Sequence, residues 1–301
     1  MSAAGWPRLY AHSWRLGLRW LARCARRQRV AHGRQGLYRM LVPLEPWRFW
    51  EMGHVARAVF DGRWLDVGSP KLLASTLQAE GRGEWTAVDL FSDEIERWRD
   101  FDPDLDLRVQ DARQLDLPDE SFDGCACVSV IEHIPAGGDL AAMEEMWRVL
   151  RPGGLLWLTT NVSSAESELL VDEHVYGEAS QPVGDRVFFE RWYTATSLRE
   201  RLMGLDWQVL REEYVIERLP VHRLFFAGAP VSFLAGNLLP LVCPWNVRRV
   251  EGPEAVPSGR HGVVSLLLRK PVDEDRSSER EEFVMAGEGA TAPDGAQAAR
   301  R

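Results

Sequence analysis

The sequence predicts an α/β fold, a mostly parallel sheet of seven strands with helices on both faces, on three observations. From about residue 45, short apolar runs alternate with longer stretches of helical period, as in a parallel sheet joined by crossover helices. Residues that start and stop helices stand between those runs. Of the 301 residues, 45% are apolar, enough to bury a full core and to exclude disorder for most of the chain.

The elements follow in order. Pro46 suits a first helical turn, and Trp47, Trp50, His54, Ala58 and Val59 recur at helical spacing until Gly62. Buried-strand candidates are residues 64–67, 85–89, 107–110, 122–130 and 155–160. Ser69-Pro70, Ser92-Asp93 and Asp139 sit where an N-cap or first-turn residue belongs, and Gly81 and the turn Arg151-Pro152-Gly153-Gly154 mark stops. A helix over about 196–203, a run over 207–219 rich in Val, Ile, Tyr and Trp, and a strand over 262–269 complete the set. Beyond Pro271 the composition turns to Glu, Ser, Gly and Ala, which predicts a disordered tail. The chain therefore divides into a basic amphipathic helical head (1–44), a body (45–272) with a hydrophobic insertion (220–258), and a tail (273–301).

Charge follows the same division. The net charge of −9 splits into +9 over residues 1–50, −14 over 51–272 and −4 over 273–301. An acidic body argues against nucleic acid as a partner. Cys24, Cys125, Cys127 and Cys243 are too few and scattered for a disulfide scaffold and lack zinc-site spacing, so no metal is expected and a reducing, cytoplasmic setting is.

In an open parallel sheet, ligands sit at the carboxyl ends of the strands. The first candidate strand ends in Leu65-Asp66-Val67-Gly68-Ser69-Pro70-Lys71, where Gly68 permits a sharp turn and close approach to a ligand. The second ends at Asp89, about twenty residues on, where an acid can hold ribose hydroxyls, and the third at Asp111. Each acid alone reads as a solvated or loop-stabilising carboxylate; three in register read as one site. A nicotinamide-binding domain would require G-x-G-x-x-G after the first strand, and this loop offers only Gly68.

Residues 60–162 resemble class I S-adenosylmethionine-dependent methyltransferases of the small-molecule type. The resemblance rests on Leu65-Asp-Val-Gly68, Ala87-Val-Asp89, Gln110-Asp-Ala112, Leu117-Pro-Asp-Glu-Ser-Phe-Asp123, Ser129-Val-Ile-Glu-His-Ile-Pro135 and Arg148-Val-Leu-Arg-Pro-Gly-Gly154. It implies a Rossmann-like sheet whose last strand is antiparallel, and S-adenosylmethionine as cofactor. It also implies a site built from Asp66, Gly68, Ser69, Asp89, Leu90, Asp111, Ala112 and Ser129, with Asp66 and Gly68 at the methionine portion. Asp89 would meet the ribose, Asp111 and Ala112 the adenine, and Ser129 the sulfonium. One departure stands out: Pro70 and Leu72 occupy positions where the family has glycines. Methyl transfer to a hydroxyl needs a general base, for which His133 and His174 are candidates; the bland readings are a structural role for His133 and simple exposure for His174.

Two appendages point to a membrane surface. Residues 224–247 carry no charge and sixteen apolar side chains, but Pro230, Pro240 and Pro244 interrupt them and they join two strands of one sheet. A shallow interfacial hairpin is expected, with a lid or a dimer contact as the other readings. In residues 6–27, Arg15, Arg19, Arg23 and Arg26 form one helical stripe and Trp14, Leu18 and Leu21 another. The expectation is an enzyme methylating a small-molecule or lipid-linked acceptor, at oxygen, in the cytoplasm or at the inner membrane face. The alternative is a catalytically silent domain of the same fold.

Overall fold

In the computed structural model, residues 6–26, 30–42, 46–58, 61–172, 181–224, 228 and 230–272 are described; the expected tail and His174 lie outside them. Three helices open the chain: α1 (Trp6–Arg26), α2 (Val30–Leu41) and α3 (Pro46–Ala58). The predicted alternation follows as β1 (Arg63–Val67), α4 (Leu72–Ala79), β2 (Glu84–Asp89), α5 (Ser92–Phe101), β3 (Asp106–Val109), β4 (Phe122–Val128), α6 (Gly138–Val149) and β5 (Leu150–Val162). Then come β6 (Ser167–Val171), β7 (Pro182–Val183), β8 (Arg186–Trp192), α7 (Ala195–Leu202), β9 (Gln208–Glu217), α8 (Val231–Asn246), β10 (Val247–Val250) and β11 (Gly262–Arg269).

The main sheet runs β10-β9-β11-β5-β4-β1-β2-β3. β3, β2, β1, β4 and β5 are mutually parallel, while β11 runs antiparallel to both β5 and β9. The expected architecture is present, with differences in detail. The main sheet has eight strands rather than seven, because the charged segment of β10 pairs with β9. A separate three-stranded sheet, β6-β8-β7, rises after β5 from a stretch in which the sequence offers no strand candidate. Arg151 to Gly154 open β5 rather than forming a turn, with Gly153 taking the positive φ of 81°. Ser69 does not cap α4, whose N-cap position is Lys71 without a side-chain cap.

A buried carboxylate helps fasten the small sheet to the body. Asp139, on the first turn of α6, is fully buried and accepts hydrogen bonds from Arg191 (3.0 Å), Arg201 (2.6 and 2.7 Å) and Tyr193 (3.0 Å). Burial pushes this carboxyl up, but the two guanidiniums outweigh it and hold it below the usual carboxylate range.

The head is part of the body. Leu9, Leu16, Trp20 and Cys24 of α1 join the core formed by α3, α4, α5 and one face of the sheet. Arg23 donates to the carbonyls of Asp100 and Phe101, which end α5 (2.7 and 3.0 Å), where a cation complements the helix terminus. Arg39 of α2 stacks over Trp98 at 4.3 Å. Of the stripe Trp14, Leu18 and Leu21, only Leu18 is openly exposed, at 54%. Where a hairpin was expected, the described residues of 224–247 are mainly the helix α8, with Pro240 and Pro244 inside it. Asn237 ties it down, donating to the Leu41 carbonyl and accepting from Tyr10 Oη (2.9 Å).

The α1–α2 crossing depends on glycine. A Cβ at Gly36 would lie 2.7 Å from Trp20 Cδ1 and 3.0 Å from the Gly17 carbonyl oxygen. Gly36→Val is expected to cost about 1–3 kcal/mol through overpacking, read as a lower urea midpoint at unchanged slope.

Candidate functional site

A cleft of about 350 Å³ opens at the carboxyl ends of β1 to β4 and is lined by Gly68, Asp89, Leu90, Asp111, Ala112 and Ser129, among others. Six of the eight expected cofactor residues thus share one wall. Gly68 forms the tight point: its φ is +65°, and a Cβ there would lie 2.7 Å from Val130 Cγ1, so only glycine fits. Leu90, 43% exposed, and the neighbouring Phe91 supply apolar surface for a ligand to cover.

The other two lie beneath the wall. Ser69 Oγ accepts from Val128 N at 2.8 Å, tying the loop after β1 to β4. Asp66 is fully buried and its carboxylate oxygens have no hydrogen-bond partner among the described residues. Its counter-charge is Lys71, itself fully buried, with Nζ 3.8 Å from Asp66 Oδ2 and 2.9 Å from Asp89 Oδ2. Burial pushes the Asp66 carboxyl up to about 6 against the pull of Lys71. Sequence reasoning missed Lys71, although a lone cation between Pro70 and the apolar run Leu72-Leu73-Ala74 was a signal: buried there, it requires an acid. Arg113 was missed as well. It grips Asp111 with Nε and Nη2 (3.0 and 2.6 Å), and these hydrogen bonds hold the Asp111 carboxyl below its ordinary range.

At the end of β4, Ser129 holds the left-handed φ of 51°, unusual for a residue with a Cβ. Its Oγ donates to Glu132 Oε1 at 2.5 Å, and Thr160 Oγ1 donates to Glu132 Oε2 at 2.9 Å. Two more buried carboxylates stand beside Glu132. Glu51 of α3 accepts from Thr159 Oγ1 (2.8 Å) and Arg48 (2.6 Å). Glu190 of β8 accepts from Asn161 (3.0 Å) and Trp192 (2.7 Å). Burial raises the carboxyls of both Glu51 and Glu190. Glu51 gave no signal in the sequence, because α3 was read only for its period. His133 lines the cleft, and its Nδ1 donates to the Phe189 carbonyl at 2.8 Å, so in the neutral ring Nε2 is the accepting nitrogen. Among the described residues no group of three His, Cys, Asp or Glu is arranged to hold a metal ion.

Residues 65–158 match the family model for a methyltransferase domain. The match identifies this stretch as a methyltransferase domain. Over 129 residues the chain is 28% identical to a phosphatidylethanolamine N-methyltransferase of Cereibacter sphaeroides, covering 41% of this chain and 62% of that one. Among solved structures, a SAM-dependent methyltransferase of Methanosarcina mazei superposes with a TM-score of 0.46 at 16% identity, covering 70% of this chain and 93% of that one. A Haemonchus contortus phosphoethanolamine N-methyltransferase 2, solved with phosphomonomethylethanolamine and S-adenosylhomocysteine, superposes with a TM-score of 0.46 at 15% identity, covering 75% and 53%. The residues present fit S-adenosylmethionine. Gly68 allows close approach of a ligand, Leu90, Phe91 and Ala112 form apolar walls, and Asp89 places a carboxylate between them.

The pH response of Asp66 follows from its surroundings. Its native pKa of about 6 lies above the ordinary 3.8, so its contribution to stability is full below about pH 4 and is lost as pH rises through 6. Asp66→Asn is expected to flatten the urea midpoint between pH 4 and 7, where the parent chain loses stability.

Proposed function

We propose that the protein is an S-adenosylmethionine-dependent methyltransferase acting on a lipid-linked amine at an anionic membrane surface. The observation that carries the first part is the cleft, where Gly68, Asp89, Asp111 and Ser129 come together at the carboxyl edge of the sheet. In this reading Asp89 accepts the ribose hydroxyls, Asp111 and Ala112 face the adenine, and Ser129 flanks the reacting centre. When bound, the cofactor supplies a methyl carbon on a sulfonium, already activated toward a lone pair. The chain's part is to hold the acceptor in line, worth up to ~7–11 kcal/mol when well realised, and to receive a proton. His133 on the cleft wall, with the Glu190 carboxylate as its charged neighbour, is suited to take that proton.

The sequence alone pointed to oxygen as acceptor. The lipid amine acceptor in the name of the Cereibacter relative favours nitrogen instead, reacting as the neutral amine. The membrane part rests on α8, which leaves β9 at the same sheet edge as the cleft. Its stripe of Val231, Leu234, Leu238 and Trp245 is 43%, 62%, 49% and 75% exposed, and the helix carries no charge. Exposed Arg248 at its base, next to Arg249 that pairs with Glu213, matches an anionic surface. No described helix is long and apolar enough to cross a membrane, so contact would be interfacial.

Calorimetry tests the cofactor. Binding is expected, and Asp89→Ala should weaken it by about tenfold or more, the scale of lost hydrogen bonds to a charged group. No binding by the parent chain at millimolar cofactor would leave only the silent-domain alternative. Methyl-tritiated cofactor and vesicles test the acceptor, with label expected in phosphatidylethanolamine. Label in phosphatidylglycerol instead would return the reading to oxygen.

Co-sedimentation with phosphatidylglycerol-containing vesicles tests the surface. The triple change Leu234→Ser, Leu238→Ser and Trp245→Ser should abolish it while leaving cofactor binding intact. Undiminished sedimentation would refute the role of α8.

A further inference from the structure

We propose that Lys71 is the positioning residue that makes Asp89 a selective acceptor for a ribose diol, a role taken in this loop by a side chain instead of further glycines. The inference rests on the reading of the cleft as a cofactor site. A lysine side chain of zero exposure is uncommon and has to be matched where it sits. Here its ammonium is coordinated from three sides. It donates to the Ser69 carbonyl at 2.7 Å, lies 2.9 Å from Asp89 Oδ2, and lies 3.8 Å from Asp66 Oδ2.

Those contacts join the loop after β1 to the end of β2. The other Asp89 oxygen, Oδ1, accepts from Phe91 N at 3.1 Å. Each oxygen therefore has one fixed donor, which sets the plane and direction of the carboxylate while leaving each a second lone pair. Asp89 lines the cleft, so those remaining lone pairs are what a vicinal diol can use. The loop is rigid in compensation for its composition. Pro70 offers no backbone donor and Leu72 is buried, so little of the loop beyond Gly68 is left to wrap a ligand through its backbone. Two side chains brace it instead, Ser69 toward β4 and Lys71 toward β2. Lys71 also lowers the charge of the buried trio with Asp66 and Asp89 from −2 to −1.

Removing Lys71 alone strands two buried acids, so the informative variant is the charge-conserving pair Asp66→Asn with Lys71→Met. It is compared with Asp66→Asn alone. The intact chain is titrated with S-adenosylhomocysteine, and adenosine and 2′,3′-dideoxyadenosine are used as competitors. The parent chain and Asp66→Asn are expected to bind S-adenosylhomocysteine and to prefer adenosine over its dideoxy analogue. In the double variant that preference should shrink by about tenfold or more, with dideoxyadenosine affinity little changed. A general loosening of the loop would weaken both competitors alike and overturn the proposal, as would an unchanged preference. If the parent chain binds no S-adenosylhomocysteine at millimolar concentration, the cofactor reading of the cleft fails first. Should the double variant not fold, Lys71→Met with Asp89→Asn gives the same answer, because its binding should then equal that of Asp89→Asn alone.

Discussion

A charge carried out of water at the edge of this sheet has to be met there by an opposite charge or by donors, and the layout of the edge follows from that constraint. Asp66 and Asp89 share Lys71; Asp111 has Arg113; Asp139 has Arg191 and Arg201; Glu51 has Arg48 and Thr159. Glu132 and Glu190 differ in kind, satisfied by neutral donors: the hydroxyls of Ser129 and Thr160 for Glu132, Asn161 and Trp192 for Glu190. Glu51, Asp66, Glu132 and Asp139 are thus acids of residues 51–272 held inside the protein. A ligand entering the cleft meets carboxylates already oriented by the protein, and little reorganisation is left to do when it binds.

The same constraint explains the basic head. Some of its arginines are used within the fold, while Arg15, Arg19 and Arg26 of the expected stripe stay exposed. Arg23 caps α5, Arg39 lies over Trp98, and Arg8 reaches Glu80 at 3.4 Å. The apolar side of α1 is spent on the core, and what remains unpartnered is the stripe on α8. An apolar stripe is therefore left exposed on a helix that carries no charge of its own.

Legibility in the sequence followed how local each signal was. Period and punctuation located β1, β2, β3, β9 and β11 within a residue or two, because each is a run of apolar residues bounded by a turn. Residues 182–192 failed that test: Pro182, Gly184 and Asp185 break the pattern, and β8 is held by pairing with β6 and by the distant Asp139. The strand-end acids were readable from spacing. Their cations were not, since whether Lys71 points outward or folds back under the loop depends on what lies across the sheet. Glu51 is the clearest case: its helix was found, but its partner Thr159 is 108 residues away.

The insertion shows what such pairing does for function. β9 ends at Glu217 opposite Val247, in register through β11 with the end of β5. The chain therefore leaves and re-enters the sheet at its carboxyl edge, the same edge that carries the cleft. A helix grown there needs no charge of its own, because Arg248 at its foot supplies it, and its packed side rests on α3, which carries Glu51. The cleft and the exposed apolar face of α8 then lie along one sheet edge. On the proposed reading, a lipid-linked acceptor meeting α8 would need to travel only along that edge to reach Ser129.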